Sequence, residues 1–377
     1  MRSAPPPERG VLEALRGRAW RDCIPLHASL EITLRCNLRC VHCYNFDRGG
    51  VPPPPAPELG LDETVGLLDD LRAAGCLFLS LTGGEPLLHP RFWDILDAAA
   101  SRRFSVTLLT NGTLLGERTC GRLARFRNLW QVSLSLYGAR PETHDAVTRT
   151  RGSFRRLREG LRRLRRRGLP AAIKLVVMKA NAREVPAMIA MAEGESLPWL
   201  VDASISPRHD GTPGSPECRA DLSTIESLYR GPLRRLLQKG DTDPSGDDFK
   251  CDCARSNVAV SAAGDVWPCI AAPIRGGNLR ERRFREIWEG SPAFRRIRGL
   301  RLEDFKACAP CPLKAWCPRN PGTAFLAQGD YTAADPRACA EAEIIRRILG
   351  GRGATRPAPR AGRATSPAGR RPGRTCP

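Results

Sequence analysis

Three cysteines stand close together in Cys36-Asn37-Leu38-Arg39-Cys40-Val41-His42-Cys43. Thiolates spaced this way in one loop can converge on a single cube of iron and sulfide. A four-iron cluster takes four ligands, so three cysteines leave one iron open, much as an open catalytic metal position admits substrate. The amine and carboxylate of a small molecule can bind there. The other assignment is a zinc knot with His42 as fourth ligand, although backbone makes that convergence awkward for a residue lying between two of the cysteines. A second chemical stretch is Leu81-Thr82-Gly83-Gly84-Glu85-Pro86. Two glycines let backbone approach a ligand closely, and free N–H and C=O groups can pair with a charged amine and carboxylate. Cysteines recur late in the chain, at Cys251, Cys253, Cys269, Cys308, Cys311, Cys317 and Cys339.

The elements that must position these residues alternate between strand and helix. Apolar β-type runs lie at 29–34, 77–82, 105–110, 131–136, 173–178 and 203–206, with helical patterns near 62–74, 91–102, 114–127, 152–167 and 183–193. Six such repeats imply an α/β fold with a parallel sheet and right-handed crossovers. Six units rather than eight give a partial (β/α)6 TIM-like barrel, whose working face is the loops at the carboxyl ends of its strands. The cysteine loop follows the first strand and the Gly-Gly turn ends the second, so both fall on that face. The expected division is an N-terminal arm over 1–27, the partial barrel over 28–240, a small Cys-rich domain over 241–350 and a basic tail over 351–377. The stretch 352–377 holds seven Arg and no Asp or Glu, a composition too poor in apolar residues to pack, so the tail is expected to be disordered.

The chain has 377 residues and a formal net charge of +20. Part of that excess lies in 155–167, eight Arg and one Glu, where Leu157, Leu161 and Leu164 fall at helical spacing; the segment reads as an amphipathic helix with a solvated basic face. Aromatic residues make up only 6% of the chain and do not interleave with basic ones, which argues against nucleic acid. The summed field suits an acidic peptide better. No apolar run approaches the roughly 18 residues of a membrane span, and residues 1–10 lack the apolar core of a secretory signal. The expected compartment is the cytoplasm, where fifteen cysteines point to bound metal and not to a disulfide framework.

Taken together, the cysteine loop and Gly83-Gly84-Glu85-Pro86 resemble the radical S-adenosylmethionine superfamily over roughly residues 28–207. The resemblance implies that Cys36, Cys40 and Cys43 hold a reducing [4Fe-4S] cluster and that the Gly-Gly-Glu-Pro turn binds the methionine end of S-adenosylmethionine. It places Asn111, within Thr110-Asn111-Gly112, against the cofactor. It matches Ser135 to a ribose-contacting serine, with Tyr137 where Asp is commoner. The implied reaction is one-electron cleavage of the sulfonium to methionine and a 5′-deoxyadenosyl radical, which abstracts hydrogen from an unactivated carbon. Lys174 and Asn181 either reach the cofactor or substrate or are plain strand-end polar groups. His144, Asp145, Gly152 and Ser153 read as capping and turn residues ahead of a helix.

The later cysteines resemble the SPASM-type auxiliary domain found in peptide- and protein-modifying members. By that resemblance Cys308, Cys311, Cys317 and Cys339 hold one auxiliary four-iron cluster, and tetrahedral zinc is the alternative for such a set. A further cysteine usual in the family is replaced by Pro321. The remaining Cys251, Cys253 and Cys269 either hold a second auxiliary cluster with an open iron or mark a site that has degenerated. One or two auxiliary clusters are therefore expected. The resemblance implies a peptide or protein substrate and an electron donor such as flavodoxin or ferredoxin, and the basic surface suits an acidic leader peptide as partner. The alternatives are modification of a tetrapyrrole or other small cofactor precursor, or a non-catalytic iron–sulfur or zinc protein. Ile270 follows Cys269 where sulfatase-maturing relatives carry an Asp, which counts against that activity.

Overall fold

A computed structural model describes residues 9–50, 57–237 and 251–350. The expected tail over 351–377 and the boundary near residue 240 lie outside the described residues. Helix α1 (Arg9–Arg21) precedes β1 (His27–Thr33), and α2 (Leu61–Ala73), β2 (Phe78–Gly83), α3 (Phe92–Ser101), β3 (Ser105–Thr110), α4 (Glu117–Leu123) and β4 (Leu129–Leu136) follow. Then come α5 (Pro141–Thr148), α6 (Ser153–Arg166), β5 (Ala171–Val176), α7 (Val185–Gly194), β6 (Trp199–Asp202) and α8 (Leu222–Arg230). The C-terminal part adds β7 (Asn257–Val260), β8 (Asp265–Trp267), β9 (Gly277–Asn278), α9 (Phe284–Gly290), α10 (Pro292–Gly299), α11 (Pro321–Gln328) and α12 (Pro336–Leu349).

The strands form one sheet in the order β6-β5-β4-β3-β2-β1-β7-β8-β9. The six-strand parallel sheet of the sequence reading is present, its sixth strand displaced, but β1 is not an edge. Strand β7 pairs parallel to it, Leu30 opposite Val260, and β8 and β9 continue antiparallel. The Cys-rich part therefore begins by extending the barrel sheet. Nothing local signals this, because β7 is short and its partner lies more than two hundred residues earlier.

Side chains alternate across each strand. Ala28, Leu30, Leu79, Leu81, Val106, Leu108, Val132 and Leu134 are buried together in the main core. On the other face Ser29, Glu31, Ser80, Thr82, Ser133, Ser135 and Lys174 make a polar lining, and His27 and Ser80 share a hydrogen bond of 2.9 Å across it. Helix α6 buries Leu157, Leu161 and Leu164, each contributing about 1.5–3 kcal/mol relative to exposure. Its basic face is cross-linked as well as solvated: Arg163, Arg166 and Arg167 pair with Glu117, and Arg158 and Arg165 with Glu195.

Several elements depart from the sequence reading, helix α8 among those not expected. The sixth strand is Trp199–Asp202 and not 203–206, because pairing with β5 sets it, Ile173 opposite Trp199. It is an edge strand with Leu200 63% exposed, so its hydrophobic pattern carries little information. Helix α4 is shorter than the 114–127 pattern, starting after Gly116, and the amide of Asn128 donates to the Phe104 carbonyl to steer the chain into β4. Helix α5 was not expected; Pro141 occupies its first turn, and it buries only His144, Val147 and Thr148.

Candidate active site

The cysteine loop leaves β1 under restraint from several sides. The Glu58 carboxylate accepts from the Thr33 hydroxyl (2.7 Å) and the Leu34 N–H (2.8 Å). Farther along, the N–H groups of Arg39 and Val41 donate to the carbonyls of Thr148 and Val147, both at 3.0 Å, so the unexpected α5 is what pins the loop. Tyr137 packs with Val147 and Met178 beneath Cys40 and Val41, which accounts for an aromatic ring where an Asp is commoner. The Arg48 guanidinium donates to the Cys43 sulfur at 3.0 Å and to the Leu34 carbonyl at 3.1 Å. The Asn111 amide lies 3.9 Å from the Cys36 sulfur and 2.9 Å from the Asn37 side-chain oxygen. Burial raises the Cys36 and Cys40 thiols, charge on neighbouring cysteines raises them further, and Arg48 opposes. One guanidinium does not balance three thiolates. A multiply charged iron–sulfur cluster does, since ligating thiols are held deprotonated, so the donor set fits such a group. His42 is turned away from this set. Its ring meets Tyr137 edge-on at 4.6 Å, and burial first, then the Lys174 charge, pushes it down to about 4. Among the described residues no three His, Cys, Asp or Glu side chains converge as on a single metal ion.

The Gly83-Gly84-Glu85-Pro86 turn packs closely against the start of the cysteine loop. A Cβ on Gly83, whose φ is +119°, would lie 2.2 Å from the Thr33 carbonyl oxygen, and one on Gly84 2.2 Å from that of Arg35. The glycines thus admit the start of the cysteine loop. The N–H groups of Gly84 and Glu85 donate to Thr33 and Arg35 carbonyls, both at 2.7 Å, so toward a ligand amine the turn offers carbonyl oxygens. Glu85 is fully buried. Its carboxylate accepts from the Thr110 hydroxyl (2.7 Å), the Asn111 N–H (2.8 Å) and the Leu87 N–H (3.3 Å), strapping the end of β2 to the end of β3. Burial raises it to about 7. Pro86 opens the short turn Pro86–Leu88 that follows.

On the neighbouring strands Ser135 sits opposite Lys174 in register, and Lys174 pairs with Asp202 at 3.2 Å. Asn181 is a structural residue. Its amide donates to the Tyr137 and Val176 carbonyls and its oxygen accepts from the Met178 N–H. Asp145 behaves as the sequence indicates, accepting from the Gly152 and Phe154 N–H groups and the Ser153 hydroxyl at the start of α6. Sequence reasoning missed Glu31, whose buried carboxyl is raised to about 7 by desolvation and accepts from the Tyr44 hydroxyl at 2.7 Å. A charged residue inside an apolar strand was the available signal. A cavity of about 900 Å³ opens beside Cys36, with Arg35, Arg39, Arg48 and Arg91 in its wall, a lining that suits anionic groups.

Of the C-terminal cysteines, Cys251, Cys253, Cys269 and Cys308 share one packed cluster. Cys251 and Cys269 pack against the small cluster of Cys253, Ala272, Phe305 and Tyr331, and Cys251 is reached by the Tyr331 hydroxyl at 3.2 Å. Burial raises the Cys317 thiol, and the charges of Cys339, Cys308 and Cys311 raise it further. Pro321 opens α11, whose Asn320 cap accepts from the Gly322 and Thr323 N–H groups.

This is the layout of an iron–sulfur enzyme that works on S-adenosylmethionine at the mouth of a partial barrel, with further clusters beside it. The model of the radical SAM superfamily matches residues 30–192, and that of an iron–sulfur cluster-binding domain of the SPASM type matches residues 251–312. The chain belongs to the radical SAM superfamily and carries a C-terminal SPASM domain. It is 30% identical to the AdoMet-dependent heme synthase of Methanosarcina barkeri over 81% of this chain and 94% of that protein. To the PqqA peptide cyclase of Xanthomonas axonopodis it is 30% identical over 76% of this chain and 80% of that one. Streptococcus suis SuiB bound to its precursor peptide SuiA shares the fold at 16% identity, with a TM-score of 0.63 over 89% of this chain and 82% of that one.

Proposed function

We propose that this chain is a peptide- or protein-modifying radical enzyme in which Cys36, Cys40 and Cys43 hold the reducing cluster. Gly83, Gly84, Pro86, Asn111 and Ser135 border S-adenosylmethionine, and Glu85 holds that border in shape. Bound there, cluster and cofactor supply hydrogen-atom abstraction from an unactivated carbon. The protein's part is to fix the loop through Glu58, α5 and Arg48, to keep the Thr110–Asn111 turn in place through Glu85, and to present a polar lining to the substrate. Cys308, Cys311, Cys317 and Cys339 hold one auxiliary cluster and Cys251, Cys253 and Cys269 a second, within a barrel over 28–240 and an auxiliary domain over 241–350. An acidic leader peptide and an acidic donor such as flavodoxin or ferredoxin suit the arginine-lined cavity beside Cys36. The Arg-rich face of α6 supports such an attraction less, its arginines being paired within the chain. No described helix is long and apolar enough to cross a membrane, which agrees with a cytoplasmic enzyme.

The observation that carries this reading is the cysteine loop at the end of β1 together with a SPASM-type region over residues 251–312, in a chain 30% identical to a peptide cyclase over 80% of that protein. The match to the heme synthase over 94% of its length favours a second reading, a tetrapyrrole substrate. The test is 5′-deoxyadenosine release by anaerobically reconstituted enzyme with a reductant, offered acidic Cys-containing precursor peptides or an iron porphyrin bearing propionates. Stimulation and a mass change in a peptide support the first reading. Stimulation by the porphyrin alone overturns it.

A further inference from the structure

A buried phenol ordinarily finds a hydrogen-bond partner, and Tyr331 finds sulfur. It is 7% exposed and packs in one apolar cluster with Cys253, Ala272 and Phe305. Its hydroxyl lies 3.2 Å from the Cys251 sulfur. The segment carrying it is held firmly. Arg319 donates to the Tyr331 carbonyl at 2.6 Å and to the Ala333 carbonyl, with its guanidinium over the Phe305 ring. The Asp330 carboxylate accepts from the Thr332 N–H at 2.8 Å. The same segment begins at Pro321, where the family's fourth cysteine is absent. A Cβ on Gly322 would come within 2.3 Å of the Ala271 carbonyl oxygen, so the start of α11 lies against the loop after Cys269 but brings a pyrrolidine ring that can bind neither iron nor sulfur.

We propose that Tyr331 is the fourth protein group of the Cys251–Cys253–Cys269 site, donating a hydrogen bond to the Cys251 thiolate and leaving one iron of the bound cluster without a protein ligand. The inference rests on the reading that these three cysteines hold a cluster. A distance of 3.2 Å is within O–H to sulfur hydrogen-bonding reach. Hydrogen bonds to cluster sulfurs favour the more negative, reduced state and so raise the reduction potential. Tyr331 is a positioning residue for this site.

The test compares full-length wild type with Tyr331→Phe and Cys269→Ala, reconstituted anaerobically, by iron and sulfide analysis and by a potentiometric titration followed by electron paramagnetic resonance. Wild type is expected to carry about twelve irons, three four-iron clusters. Tyr331→Phe should keep that number while one cluster, the one lost in Cys269→Ala, moves to a more negative midpoint potential. An exchangeable-proton coupling to that cluster, seen on transfer to deuterated water, should vanish with the hydroxyl. About twelve irons with no midpoint moved would overturn the hydrogen bond. Loss of about four irons in Tyr331→Phe would make the phenolate a ligand and likewise overturn it. About eight irons in wild type, unchanged in Cys269→Ala, would instead overturn the three-cysteine site itself.

Discussion

The cysteine loop after β1 and the cysteine segments after residue 250 present the same thiols on very different supports. The first hangs from the middle of a parallel sheet, with Glu85, Glu58 and α5 bonding its backbone at fixed points. The second rests on short helices and turns capped by Asn320 and Asp335, tied to the barrel by the small β7–β9 extension and by side-chain bonds from α12 to α8, such as Glu341 to Tyr229 and Arg347 to Glu226. A metal site built on strands is shaped before its metal arrives. One built from turns draws more of its order from the metal, since binding free energy is then partly folding free energy.

The largest expected effect falls on the strand-supported site. Replacing Cys36, Cys40 and Cys43 together with Ala should remove about four irons and all S-adenosylmethionine cleavage, while thermal stability changes little. Undiminished release of 5′-deoxyadenosine would show that the active cluster lies elsewhere. Next comes selective loosening. Stripping all iron anaerobically with a chelator should speed amide hydrogen exchange across 301–349 and leave β1 to β5 protected, and equal loosening of both regions would end the contrast.

Gly84→Ala places a methyl group against the Arg35 carbonyl and should cost about 1–3 kcal/mol of stability, the usual range for overpacking, read as a lower thermal midpoint. The smallest effect concerns pH. Glu85 and Glu31 are both raised to about 7 from an ordinary value near 4.5. A carboxyl raised on folding binds its proton more tightly in the native state, so its contribution is complete below pH 4.5 and is lost as pH rises through about 7. Buried His42, His144 and His209, each pushed down to about 4, add stability as pH rises over much of the same window, so the test is a difference: relative to wild type, Glu85→Gln should lose the declining contribution of Glu85 between pH 4.5 and about 7. An unaltered slope in urea titrations at successive pH values would show that Glu85 does not titrate there.

Much of the active site was legible because it is local. Cys36, Cys40 and Cys43 lie within one loop, and strand–helix alternation placed Gly83, Asn111 and Ser135 at neighbouring strand ends. The role of Glu85 was not legible, since its partners Thr110 and Asn111 sit on another strand. The edge strand β6 was misplaced because an exposed Leu200 blurs the alternation on which such readings depend.

The sequence by itself determined the donor chemistry and the order of the parallel strands, because thiol spacing and residue periodicity are properties of short segments. Only the tertiary structure decided that β7 closes the free edge of β1 and that α5 pins the cysteine loop. It also decided that Tyr331, eighty residues from Cys251, meets it across the auxiliary site. Those contacts join residues far apart in the chain, and they are fixed by packing and by the need of buried polar groups for partners, which no local pattern encodes.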